Sequence, residues 1–182
     1  QPRRTMTQHG FRLRLYAVPA LAVNAIRRAV ELNKNKILDK ASTRFLNGFN
    51  CAESVLLTLA EQQGIENELI PKIATPFGGG IARSASICGC VTGAIMGIGI
   101  KHGRMKATDD RLKAYAMATD FMNAFGKRFG SIVCYDLIGC DFRTPEGQKR
   151  FEELHKTRCT NFVKGAVEIM LELREPKVKE KL

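Results

Sequence analysis

The sequence predicts an all-α fold: a single-domain bundle of about five to seven helices behind a basic N-terminal extension. Three observations carry that prediction. Apolar residues recur at three- and four-residue steps along most of the chain, and no segment alternates as a half-buried strand does. Helix punctuation recurs between these runs, with N-cap residues such as Asn50 and Thr144 and stop glycines such as Gly64 and Gly130. Finally, 182 residues, 45% hydrophobic and 26% charged, suit one core of ordinary size and exclude wholesale disorder.

In order along the chain, residues 20–46 place Leu21, Ala25, Ala29, Leu32, Ile37, Leu38 and Leu46 at mostly helical steps, interrupted by the polar 33–36 stretch. Asn50, with Glu53 three residues on, reads as a capping box that opens a helix over 51–63. A short helix over 66–73 stops before Pro76, and Phe77-Gly78-Gly79-Gly80 begins a flexible loop. The next helix, 88–102, carries Gly89, Gly93 and Gly97 at four-residue spacing. Each glycine costs about 1 kcal/mol against alanine in a helix interior, so three on one face point to close packing, within the monomer or against a second copy. A long amphipathic helix follows over 109–129, ended by Gly130. Residues 131–142 read as a turn with one helical turn. Pro145 opens another helix at its favoured first position, and the last helix spans 160–173 before Pro176. The domain organisation is therefore a basic extension with part of the first helix at 1–40, a domain at 41–175 and a charged tail at 176–182.

The formal charge of +11 comes from 29 Lys+Arg against 18 Asp+Glu, but residues 1–48 supply +8 of it and residues 49–182 only +3. The basic cluster Arg3, Arg4, Arg12, Arg14, Arg27, Arg28, Lys34, Lys36, Lys40 and Arg44 would suit nonspecific contact with phosphates. It lacks a nucleic-acid motif and has little aromatic interleaving, so a solvated face plus a loose tail is preferred over nucleic-acid or anionic-surface binding. No run reaches the roughly 18–20 apolar residues of a membrane span; the longest, 87–100, is broken by Thr92 and four glycines. The basic start and the apolar stretch at 15–23 resemble an export or targeting segment. The helical spacing that continues over 24–31 favours an extension leading into a helix.

The chemistry lies in six cysteines, at 51, 88, 90, 134, 140 and 159. None forms a CxxC pair, and no CxxCH is present to attach a haem. Cys51, Cys88, Cys134 and Cys159 are each predicted at or near a helix N-terminus, where free backbone N–H groups and the helix dipole favour the thiolate, the nucleophilic and metal-binding form. Cys90 and Cys140 sit further from the predicted caps and are read as space-filling, with extra ligation or a second redox pair as the alternative. The histidines carry little: His102 and His155 fall at helix ends, where a histidine suits the dipole without a chemical role.

Several motifs occur in a fixed order: Phe49-Asn50-Cys51-Ala52-Glu53-Ser54-Val55, Pro76-Phe77-Gly78-Gly79-Gly80-Ile81, Cys88-Gly89-Cys90-Val91-Thr92-Gly93, Phe129-Gly130-Ser131-Ile132-Val133-Cys134 and Arg158-Cys159. From about Ala41 to Leu173 the chain resembles the redox-protein family named for its C_GCAxxG_C_C cysteine pattern. The resemblance implies a small redox-active, cytoplasmic protein of bacteria or archaea, an electron carrier or oxidoreductase. A related domain accompanies an iron–sulfur cluster in split-Soret cytochromes. It puts the four characteristic cysteines on Cys51, Cys88, Cys134 and Cys159, and makes Cys90 a departure, since the family pattern has alanine there. Nothing resembles the haem-binding part of the split-Soret proteins, so haem is not expected.

The expected function is therefore electron transfer or thiol redox chemistry at a four-cysteine site, with an iron–sulfur cluster, [2Fe–2S] or [4Fe–4S], as the leading cofactor. The alternatives are a metal-free dithiol/disulfide pair and, ranked lower because the cysteines are far apart, a structural zinc site. A redox partner protein or a small-molecule electron donor or acceptor is implied, and a homodimer would shield a surface site.

Overall fold

A computed structural model describes residues 20–173. The basic segment before residue 20 and the tail from residue 174 lie outside the described residues. Two compact units divide the chain, residues 1–33 and 34–182. The first contributes the N-terminal part of helix α1 (Ala20–Leu46), on which Ile26, Val30 and Leu32 are exposed.

The second unit is all-α, as expected. It contains the rest of α1, then α2 (Cys51–Gln62), α3 (Leu69–Ala74) with a 3-10 turn (Thr75–Phe77), α4 (Gly89–His102), α5 (Leu112–Phe129) and α6 (Cys134–Ile138). α7 (Pro145–Leu154) and α8 (Thr160–Glu172) run as one rod through a π-turn, His155–Cys159. Counting that rod once, the described residues form seven helices. Their only β feature is an isolated antiparallel bridge between Ile87 and Val133.

The start of α2 shows why the sequence folds as it does. The Asn50 Oδ1 accepts from the N–H groups of Ala52 (2.9 Å) and Glu53 (3.0 Å), and the Glu53 carboxylate accepts from the Asn50 N–H (2.7 Å). The same Glu53 takes the Thr75 hydroxyl at 2.5 Å, and the Asn50 Nδ2 donates to the Thr75 carbonyl. The cap thus also anchors the 3-10 turn. Downstream, Thr144 caps α7 through its hydroxyl to the Gly147 N–H (3.0 Å) with Pro145 at the first position, and Gly130 ends α5 at φ +91°.

The glycine face of α4 packs inside the monomer. A Cβ on Gly93 would lie 2.6 Å from the Ala52 carbonyl oxygen and 3.1 Å from the Ala52 Cα, so α2 and α4 meet backbone to backbone. The core around this contact joins Val55, Leu59, Val91, Ala94 and Ile98 to Phe121 and Phe125 of α5 and to Phe162, Val163 and Ala166 of α8.

The segment before α4 departs from the flexible loop expected there. Gly79, Gly80, Ile81, Ala82 and Arg83 all have φ between +49° and +72°, and Ala85 joins them at +59°. This is one turn of left-handed coil, closed by main-chain hydrogen bonds from Ala82 N–H to Pro76 O (2.7 Å), Ala85 N–H to Gly79 O (3.1 Å) and Ser86 N–H to Gly80 O (2.9 Å). Left-handed backbone costs a residue with a Cβ about 1–2 kcal/mol, so Ile81, Ala82, Arg83 and Ala85 are held there by their surroundings. Part of that hold is visible: the Arg83 guanidinium lies over the Phe142 ring, 5.5 Å from its centroid.

Candidate functional site: a thiol-lined cavity

Four elements deliver five cysteines toward one place. Cys51 is the first residue of α2, directly after the Asn50 cap. Cys88 is the N-cap of α4, and Cys90 sits in the first turn of the same helix. Cys134 opens α6. Cys159 ends the π-turn. The α4 and α6 starts are fixed to each other by main chain: the Cys88 N–H donates to Ile132 O (2.9 Å), the Cys134 N–H to Ser86 O (2.6 Å) and the Tyr135 N–H to Ala85 O (3.0 Å). The left-handed coil therefore sits between two cysteine-bearing helix starts.

Cys51, Cys88, Cys90, Cys134 and Cys159 line a single cavity of about 320 Å3. The rest of its wall is mainly apolar and aromatic, including Phe45, Phe49, Phe142, Phe151 and Phe162. Cys140 is left out: it is buried beyond the left-handed Gly139, and its thiol donates to the Ile138 carbonyl at 3.4 Å. All six cysteines are free thiols.

Two expectations about the helix starts need correction. Cys159 directly precedes α8, as expected, but not at a free helix end. The Thr160 N–H is satisfied by the His155 and Thr157 carbonyls, so the rod continues through it and offers Cys159 no free N–H groups and no dipole end. Cys90, expected away from the caps as filler, lies in the first turn of α4 and faces the cavity.

The electrostatics separate the thiols. A hydrogen bond from the Cys90 thiol lowers Cys51 to about 7, against the opposing effect of burial and with help from the main-chain N–H groups of Gly79, Ala52 and Cys51 itself. Cys90 moves the other way, because burial raises it and its proton is shared with Cys51 and Cys88. Burial likewise raises Cys134, and pushes Cys159 up to about 12. Cys51 is thus shifted toward the thiolate, while Cys90, Cys134 and Cys159 are shifted toward the protonated thiol.

The lining contains one further titratable side chain, His155. Sequence reasoning passed over it because a helix-end histidine has a sufficient explanation in the dipole, and the π-turn that turns it inward has no sequence signature here.

The described residues thus define a class: an all-α protein in which separate helix starts and a π-turn gather thiols around one apolar cavity. The chain belongs to the family described as "Putative redox-active protein (C_GCAxxG_C_C)", which matches residues 49–173 and so spans every cysteine of the cavity. A protein of Archaeoglobus fulgidus, named there only as an uncharacterized protein, is 32% identical over 134 residues, covering 67% of this chain and 82% of the relative. No solved structure matches the chain. No helix among the described residues is long and apolar enough to cross a membrane.

Proposed function

We propose that this protein is an electron carrier or oxidoreductase whose cavity holds an iron–sulfur cluster on Cys51, Cys88, Cys134 and Cys159. The observation that carries the reading is the convergence of these four thiols, from four separate elements, on one cavity of about 320 Å3. Four thiolates are the usual donor set for such clusters. Among the described residues, no three Cys, His, Asp or Glu side chains are gathered closely enough to hold a single ion. Donors spread around a volume fit a group of several atoms better than a zinc ion. When bound, the cluster would supply one-electron redox chemistry. The chain's own residues give the group a mainly apolar, aromatic wall, and the N–H groups of Gly79 and Ala52 already directed at the Cys51 sulfur would offset negative charge.

A second reading has its own observation, the Cys51–Cys90 hydrogen bond and the lowered Cys51 thiol. Here the Cys51 thiolate attacks a small-molecule disulfide and releases one thiol. The Cys90 sulfur then displaces the second thiol to close a Cys51–Cys90 disulfide, so two protein thiols and one disulfide yield one protein disulfide and two small thiols.

Anaerobic reconstitution of the full chain with ferrous iron and sulfide, followed by metal and labile-sulfide analysis, separates the readings. Bound iron and sulfide with broad visible absorption supports the cluster. Colourless protein whose Cys51 and Cys90 become linked by a small disulfide reagent refutes it and supports the dithiol.

A further inference from the structure

The π-turn adds one residue to the helical repeat between α7 and α8, and both its ends, His155 and Cys159, line the thiol cavity. Single π-turns inside α-helices are found frequently at functional sites. The His155 ring is held on three sides. It stacks on Phe151 at 5.1 Å and 28°, and meets Phe45 edge-on at 6.4 Å and 69°. Its Nδ1 lies 3.1 Å from the Phe151 carbonyl and 2.9 Å from the Glu152 carbonyl. Both neighbours can only accept, so Nδ1 carries the hydrogen, and in the neutral ring Nε2 carries the lone pair. A histidine whose Nδ1–H is tied to main-chain carbonyls while Nε2 is left as donor is oriented as metal-ligating histidines are. No Lys, Arg, Asp or Glu lines the cavity, and the Asn50 amide is committed to Ala52, Glu53 and Thr75, so His155 supplies its uncommitted nitrogen donor.

We propose that His155 Nε2 is a ligand of the redox group held by the cavity cysteines. The proposal rests on the cluster reading and changes its donor set: the ligand positions are filled by one imidazole and three thiolates. A neutral imidazole in place of a thiolate removes one negative charge from the group and raises its reduction potential.

The test uses the full chain, produced with natural and with 15N-labelled histidine, reconstituted anaerobically with ferrous iron and sulfide, and then reduced. Iron and labile sulfide are counted, and pulsed EPR reads nitrogen coupling to the cluster. The expected result is bound iron and sulfide with a strongly coupled nitrogen that switches from the 14N to the 15N pattern on labelling. The chain has three histidines. The coupling persists in the double variant His9→Asn/His102→Asn and is lost in His155→Asn, whose amide can still donate to the carbonyls that hold Nδ1. If His155→Asn does not fold, the double variant still assigns the signal, since His155 is its sole histidine. Iron and sulfide bound with no strongly coupled nitrogen overturns the ligand assignment and leaves the cluster standing. No uptake of iron and sulfide overturns both.

Discussion

The backbone contact between α2 and α4 makes one substitution decisive. In Gly93→Ala the new methyl would lie 2.6 Å from the Ala52 oxygen, 3.1 Å from its Cα and 3.2 Å from its carbonyl carbon. All three are main-chain atoms of another helix, so no side chain can swing aside and the helices must separate. Overpacking of this kind costs about 1–3 kcal/mol, and a rigid backbone neighbour puts it in the upper half of that range. Against it stands a gain of about 1 kcal/mol in helix propensity. The net loss is about 1–2 kcal/mol, or roughly 2–8 °C in Tm for a domain of this size. The control is on the same helix: a methyl on exposed Gly99 meets nothing within 4 Å, so Gly99→Ala is stabilised by up to about 1 kcal/mol. Urea denaturation of both variants reads the two signs. α2 carries Cys51 and α4 carries Cys90, so Gly93→Ala also weakens the Cys51–Cys90 hydrogen bond and moves Cys51 alkylation to higher pH. Equal stabilisation by the two substitutions, with an unchanged alkylation profile, would refute the argument.

Other consequences can be checked on the metal-free protein. The Cys51 thiol is lowered to about 7, so its thiolate is lost as pH falls below that value; iodoacetamide labelling of Cys51, followed by mass spectrometry, should be half-maximal there, and Cys90→Ala should shift the midpoint upward. Asn50→Ala removes the acceptor for two N–H groups and the tether to Thr75, and should destabilise by about 1–2 kcal/mol in denaturant titration. Ala82→Gly should be neutral to stabilising by up to about 1 kcal/mol, the reverse of the usual cost, because exposed Ala82 sits at φ +49°; a loss above 1 kcal/mol in thermal melts would contradict the strain assigned to the coil.

Local rules reach far into this chain. The bounds of α1, the complete capping box at Asn50, the Pro145 start and the Gly130 stop all follow from short-range chemistry that the sequence displays directly. So does the place of Cys51, Cys88 and Cys134 at helix starts. What escaped is non-local. The left-handed coil puts isoleucine, alanine and arginine where local preference forbids them, and exists because of its contacts to 132–135 and Phe142. The π-turn fuses two predicted helices into one rod, which removes the dipole from Cys159 and brings His155 to the cavity. Cys90 lies two residues after the Cys88 cap, and its exposure to the cavity depends on where α2, α6 and the π-turn close around α4.

The stitch between residues 85–88 and 132–135 uses peptide groups alone. A proline at Cys88, Cys134 or Tyr135 would take a donor out of it, whereas other side-chain changes leave its peptide donors and acceptors available. Ile87 and Ile132 also pack against the core, so the spacing of the Cys88 and Cys134 sulfurs rests on that packing together with the stitch.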